Sequence, residues 1–234
     1  MNLQDIKNNL NPFNAVMRIY GILKLPAMTM KEIGIYKKIL MSFPAEQPIR
    51  IFEYGMGFST LYFAEFLREQ RRKFHIDSID NNRQWYQKVG RMIDDRGLKE
   101  AVTLHLKEFV PFWEKPGWDW NTMPSCGQFA PHEKSEIDYI EWPLRLQKSY
   151  DVVVIDARFR RRCLMAALRS VNPQGFVILH DAQKPHYHDP VALYRYSRFL
   201  DSGRYFPFQC QRYQMWLGSI ANPAVNQIAE EFEP

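Results

Sequence analysis

"IFEYGMGFSTLYFAEFL", residues 51–67, decides how this chain is read. An apolar burst leads to an acid and two glycines, Glu53, Gly55 and Gly57, and then to a helix-like pattern. Two glycines straight after a strand let the backbone adopt positive φ and come very close to something. In an open parallel sheet such a turn lies beyond the carboxyl end of a strand, where ligands bind. A dinucleotide site would read G-x-G-x-x-G. Here Thr60 stands at the third position, and the turn runs Gly57-Phe58-Ser59-Thr60. Thr60, and the acid Glu53 ahead of the first glycine, weaken a nicotinamide reading.

The flanking sequence supplies the sheet that such a turn needs. Strands are predicted at 49–54, 73–80, 101–106, 150–156 and 175–181. Helices are predicted at 59–73, 83–97, 160–171 and 189–202. Two late strands, 204–210 and 213–220, follow one another as a hairpin would. Alternating strands and helices imply a mostly parallel sheet with helices on both faces. The closing hairpin implies one antiparallel edge strand. Residues 1–45 read as a helical N-terminal extension to a sheet domain at 46–234. Within it, "TMKEIGIYKKILMSFP" places Thr29 and Glu32 at capping-box spacing and Pro44 as a stop. Residues 107–148 break the rhythm with Trp113, Trp118, Trp120, Tyr139 and Trp142. Long loops inside compact domains are usually functional or disordered, and this aromatic content argues against disorder. The insertion is the natural substrate cover, with Trp118 and Trp120 as candidate stacking residues; a satellite hydrophobic cluster is the plainer alternative.

Composition narrows the class. Hydrophobic residues make up 46 % and charged residues 24 % of 234, an ordinary globular balance. No apolar run approaches the ~18 residues of a membrane span. Cys126, Cys163 and Cys210 are odd in number and widely spaced, which suits a reducing cytoplasm and offers no zinc spacing. The start lacks a secretory layout. The net charge of +5 permits an anionic partner, yet no basic arm is present, so nucleic acid is disfavoured. A homo-oligomer is compatible with the sequence.

Asp80 ends the second strand 23 residues after Gly57, near where an acid bonds the ribose hydroxyls of an adenosine ligand; Asp77 competes for that role. From "FEYGMGFST", "SIDNN", "VVVIDARFR" and "FVILHDAQKPHYH", the chain resembles the class I S-adenosylmethionine-dependent methyltransferases. It looks most like a bacterial subgroup with Asp-Gly-Arg-Phe-Arg-like and His-Asp motifs, with Ala157 in place of the glycine. The resemblance implies a seven-stranded Rossmann-like sheet and S-adenosyl-L-methionine as cofactor. It implies that Glu53, Gly55 and Gly57, with Ser59 and Thr60, line the methionine side, that Asp80 and Asn81 serve the ribose end, and that Asp156 borders the cofactor. Glu108 is a weak adenine-side candidate.

The fourth and fifth strands end in Asp156 and in His180-Asp181, which should converge on the cofactor's reactive end. Methyl transfer to oxygen or nitrogen needs a base for the acceptor proton, or a metal for its anion. His180 has a suitable intrinsic pKa for the base. Asp156 and Asp181 resemble the metal positions of catechol-type O-methyltransferases, but the expected Asn is Ala182, so a divalent metal stays open. Equally, Asp156 could cap the next helix and His180 be a satisfied buried histidine. His186 and His188 form an H-x-H pair, better explained as surface loop. Arg158, Arg160, Arg161 and Arg162 open a helix against its dipole. Arg158 and Arg160, nearest the strand end, are candidates for an acceptor carboxylate or phosphate. The expected activity is methyl transfer, favouring oxygen, to a small or conjugated anionic acceptor such as a sugar derivative. The alternatives are a non-catalytic or different-reaction adenosine-cofactor protein, and an RNA methyltransferase.

Overall fold

The computed structural model describes residues 26–109, 134–184, 187–206 and 211–233. The expectations for residues 1–25, for Trp113, Trp118 and Trp120, for Cys126 and Cys210 and for the His186–His188 pair lie outside the described residues or side chains.

Helix α1, Met30–Met41, starts where the sequence places it. The Thr29 hydroxyl accepts from the Glu32 backbone N–H at 3.1 Å, and Glu32 Oε2 accepts from the Thr29 N–H at 2.6 Å. Two of the donors at the helix start are thus satisfied reciprocally. Then follow β1 Ile49–Tyr54, α2 Phe58–Glu69, β2 Phe74–Asp80, α3 Arg83–Asp95 and β3 Val102–Leu106. Beyond the insertion come α4 Lys134–Ile140, α5 Trp142–Arg145, β4 Tyr150–Ile155, α6 Arg160–Ser170 and β5 Val171–Leu179. The chain closes with α7 His188–Val191, β6 Tyr196–Phe206, β7 Gln211–Ser219 and α8 Ala224–Phe232.

The seven strands form one sheet in the order β3-β2-β1-β4-β5-β7-β6. Strand β1 pairs in parallel with β2 on one side and with β4 on the other, Tyr54 lying level with Ile155. Strand order reverses here, which opens a crevice at the carboxyl ends of β1 and β4. All six residues of β4 are buried, as a central parallel strand requires. The antiparallel member is β7, between β5 and the outermost strand β6.

Side chains alternate between two cores. Ile51, Ile76, Val152, Val154 and Ile178 pack under α1, α2 and α8. Phe52, Ile79, Val153, Ile155 and Leu179 pack under α4 and α6. Ile35 and Ile39 of α1 are fully buried in the first core, so this helix is one of the layers covering the sheet.

One predicted element is corrected. The helix expected at 189–202 is a single turn, α7, followed by β6 from Tyr196. Strand β7 carries buried Met215, Trp216 and Leu217 and needs a further strand to complete its backbone bonding. Tyr196 and Phe199 suit a strand, and that pairing overrides the local helical pattern. Helix α8 was not anticipated; its Phe232 ring packs where a Cβ on Gly34 would sit, 3.0 Å away.

Candidate active site

The opening stretch builds the floor of the crevice. Gly55 has φ +93°, and its N–H donates to Ile79 O at 2.8 Å, tying the turn to β2. A Cβ on Gly55 would lie 2.3 Å from the Asp156 carbonyl oxygen. The first glycine is therefore demanded by the exit of β4. Gly57 is different: its φ of −177° suits any residue, and a Cβ there makes only ordinary contacts, with the Trp85 ring at 3.8 Å and Ser59 Oγ at 4.0 Å. Trp85 Nε1–H donates to Met56 O at 2.5 Å and fixes that ring. Glu53 is buried beneath the turn and accepts from the hydroxyls of Ser59 (2.6 Å), Ser78 (2.7 Å) and Thr60. Thr60 Oγ1 in turn accepts from the Gly57 N–H at 2.9 Å. Burial pushes the Glu53 pKa up to about 7; the three hydroxyls pull against that, and Asp156 adds to it.

The exit of β2 separates its two acids. Asp77 is buried in mid-strand, 2.9 Å from Lys148 Nζ and 3.0 Å from His105 Nε2, with the Tyr150 hydroxyl at 3.3 Å. Burial works against its charge, but His105 and Lys148 outweigh it and hold the pKa below the usual range. Asp77 thus serves the sheet. Asp80 stands at the strand end, where its Oδ1 accepts from the Asn82 N–H at 2.8 Å; partial burial raises its pKa. Asn82 caps α3 by accepting from Trp85 N–H at 2.9 Å, and Asn81 Nδ2 reaches Phe109 O at 3.5 Å. Glu108 is exposed and engaged by Arg83, Nε to Oε1 at 3.0 Å.

The exits of β4 and β5 hold the densest charge. Asp156, His180 and Asp181 present ligand atoms within 4.8 Å of one another. Asp181 has φ +53°, a left-handed conformation uncommon for a non-glycine residue. His180 is buried, with Nδ1 3.4 Å from Asp156 Oδ1 and 3.6 Å from Asp181 Oδ1. Its Nε2 lies 3.0 Å from Glu32 Oε1, supplied by α1. Burial alone would lower the His180 pKa, yet Asp156, Glu32 and Asp181 raise it to about 10. The ring is held as an imidazolium at neutral pH, its pKa well above the intrinsic value that suited it to act as a base. Tyr36, one turn after Glu32, is also buried; its hydroxyl has no hydrogen-bond partner among the described residues. Burial, then Asp156, Glu32 and Glu53, push its pKa well up.

Arg160 does not stand open to an acceptor. Its Nη1 donates to His180 O at 2.6 Å, Nη2 to Asp156 Oδ1 at 2.8 Å and Nε to Ala157 O at 3.1 Å. It pins the β4 exit to the β5 exit. Arg161 pairs with Asp189 at 2.8 Å, and Arg158 is exposed, near enough for its charge to pull on Asp80. The metal alternative fits poorly, because Arg160 already supplies the positive charge for Asp156 and Asp181, and the Ala182 side chain offers no ligand atom.

The structure therefore brings together Glu53, Ser59 and Thr60 at one exit, Asp80 and Asn81 at the next, and Asp156, His180 and Asp181 at two more. Glu32 and Tyr36 were missed as site residues. Their i,i+4 spacing puts both on the buried face of α1, and an acid on such a face was the available clue.

No curated protein matches the chain by sequence. Solved structures do. A Klebsiella pneumoniae protein assigned as an O-methyltransferase is 16 % identical, with 93 % of this chain and 95 % of that one covered and a TM-score of 0.56. TomG of Streptomyces achromogenes, an O-methyltransferase of tomaymycin synthesis solved with S-adenosylmethionine, is 14 % identical over 87 % and 86 %, at TM-score 0.55. The citrinin polyketide synthase CMeT domain is 12 % identical over 80 % of this chain, at TM-score 0.53; this chain spans 51 % of its length. At these identities the likeness establishes the fold. A family model described as a methyltransferase domain matches residues 52–182, from the glycine turn past the β5 exit. That is more than half of the chain, which belongs to this family and is a class I S-adenosylmethionine-dependent methyltransferase.

Proposed function

We propose that the enzyme methylates an oxygen of a small or conjugated acceptor that carries an anionic group, a sugar derivative being one such class. The observation that carries this reading is the Asp156–His180–Asp181 group at the β4 and β5 exits, a buried histidine between two partly exposed carboxylates, beside the acid-glycine turn. The residues present fit the cofactor chemically. Asp80 offers a carboxylate to a ribose diol, Asn81 stands beside it, and Glu53 and Asp156 offer negative charge to an ammonium and a sulfonium. Bound there, S-adenosylmethionine supplies an electrophilic methyl on a positively charged sulfur.

The chain's own groups supply the proton chemistry. His180 takes the acceptor's proton once its ring is neutral. Glu32, Asp156 and Asp181 hold that ring charged, so any positive charge set against these carboxylates lowers its pKa and readies it. Arg158, exposed at the mouth, recognises the acceptor's anion. Cys163, a buried thiol in α6, suits the reducing cytoplasm inferred from the cysteine pattern.

The test is an assay of methyl transfer to hydroxylated carboxylates and phosphates, with and without EDTA, and mass spectrometry to locate the methyl. Methyl on oxygen, formed equally well with EDTA, is expected. Methyl on nitrogen or carbon overturns the acceptor assignment, and loss on chelation restored by Mg²⁺ overturns the role of His180 as base.

A further inference from the structure

We propose that Glu32 of α1 is a positioning residue that decides which ring nitrogen of His180 takes part in the reaction, holding the proton on Nε2 and leaving Nδ1 to act. The proposal rests on the reading of His180 as the base. Glu32 lies outside residues 52–182, so the methyltransferase-domain match assigns it nothing.

Three distances carry the argument. Nε2 is 3.0 Å from Glu32 Oε1, whereas Nδ1 is 3.4 Å from Asp156 and 3.6 Å from Asp181. Only the first is short enough for N–H···O; neither ring nitrogen is aligned well enough to count as a hydrogen bond, so the Glu32 contact is a close ion pair and its shorter distance is what favours Nε2. A neutral imidazole keeps one proton, and the partner of one nitrogen fixes the state of the other. A carboxylate accepts and never donates, so Glu32 retains the proton at Nε2. Nδ1 then carries the lone pair, facing Asp156 and Asp181 at the strand exits.

Glu32 is itself held. Its Oε2 accepts from the Thr29 N–H at 2.6 Å, and Thr29 Oγ1 donates to Ser202 O at 2.5 Å. Around it α1 buries Ile33, Ile35, Tyr36 and Ile39. The carboxylate is 1 % exposed and cannot swing to water. One oxygen caps the helix and the other meets the histidine.

This division yields a discriminating substitution. In Glu32→Gln the single amide oxygen still serves the cap, since Gln is accepted at that position of a capping box. The amide NH₂ then faces Nε2 and offers it a donor. A neutral His180 is driven to the Nδ1–H form, and the acting nitrogen loses its lone pair. Glu32→Gln should therefore fold normally and lower kcat by about a hundredfold or more, with the acceptor KM and S-adenosylhomocysteine affinity unchanged. Ring ¹⁵N spectra of histidine-labelled apoprotein, recorded where the ring is neutral, should show the proton on Nε2 in wild type and on Nδ1 in Glu32→Gln. Thr29→Ala weakens the cap but leaves the Glu32–His180 contact, and should leave ring pattern and kcat near wild type. An unchanged ring pattern in Glu32→Gln, or the same kcat loss in Thr29→Ala, overturns the proposal and returns Glu32 to a helix cap. The ring spectra need no turnover. A fully active His180→Ala would sink the base reading while the spectra still report on Glu32.

Discussion

Asp77 and Asp80 stand three residues apart on β2, and their surroundings give them opposite work. Asp77 faces Lys148, His105 and Tyr150 inside the protein; Asp80 ends the strand at the crevice. Asp80→Ala should weaken S-adenosylhomocysteine binding by roughly ten- to a hundredfold in calorimetry, from a lost charge-assisted contact worth about 1.5–3 kcal/mol. Asp77→Asn should instead cost about 2 kcal/mol of stability, discounted for the partial exposure of Lys148, with affinity intact. Equal losses of affinity in both variants would refute this division. The two glycines divide in the same way. Gly55→Ala forces a Cβ to 2.3 Å from Asp156 O at φ +93°, and should destabilise the fold by roughly 2–3 kcal/mol whatever it does to binding. Gly57→Ala should melt near wild type and lose cofactor affinity, because nothing in the protein itself crowds that position. Unchanged affinity in Gly57→Ala would move the cofactor away from the turn. The sequence alone could not tell the glycines apart, since what separates them is a carbonyl about a hundred residues away.

At the scale of elements, the arginines opening α6 are the instructive case. Their position, N-terminal on a helix that follows β4, was legible from pattern, and so was the anomaly of cations at a positive helix end. What they do there depended on β5. The His180 carbonyl, brought alongside by β4–β5 pairing, takes up Arg160 and makes it a pin. Arg160→Ala leaves Asp156 and Asp181 facing one another without that cation. Because Asp156 is partly exposed, the cost should be about 2–3 kcal/mol in urea unfolding, below the full penalty of a broken buried pair. Arg158→Ala should cost less stability than Arg160→Ala and raise the acceptor KM about tenfold. A stable Arg160→Ala with only a raised KM would reverse the two roles. Likewise, β1 to β5 could be read from apolar runs bounded by turn residues, because each strand's burial is written in its own residues. The stretch 189–202 could not. Its helical spacing is genuine, but β7 requires a pairing partner, and long-range pairing won over local pattern.

Across the whole molecule, Glu53 and His180 are the buried groups whose raised proton affinity falls in the range from mildly acid to mildly alkaline with a value that sets a window. Glu53 rises from 4.5 to about 7 and His180 from 6.5 to about 10. The signs agree although one is an acid and the other a base. For His180 the raised pKa stabilises the fold; that contribution is complete below pH 6.5 and is lost as pH climbs through about 10. For Glu53 burial disfavours the carboxylate, so a penalty absent below pH 4.5 grows to its full size above about 7. Stability measured by urea unfolding should therefore fall continuously from about pH 5 to pH 10. Replacing each group isolates its window. Glu53→Gln should flatten the fall below about pH 7 and stabilise the protein at pH 8 relative to pH 5, since its hydroxyl partners can turn to accept from the amide. His180→Asn should be less stable than wild type at pH 6 and should flatten the fall between pH 7 and 10. Helix α1 links the two windows, because Glu32 is one of the carboxylates that charge His180. Glu32→Gln should thus move the upper limb of the wild-type curve to lower pH and leave the lower limb in place. A stability profile that is level or rising between pH 6 and 10 would refute the charged state of His180 and, with it, the ion pair that ties α1 to the site.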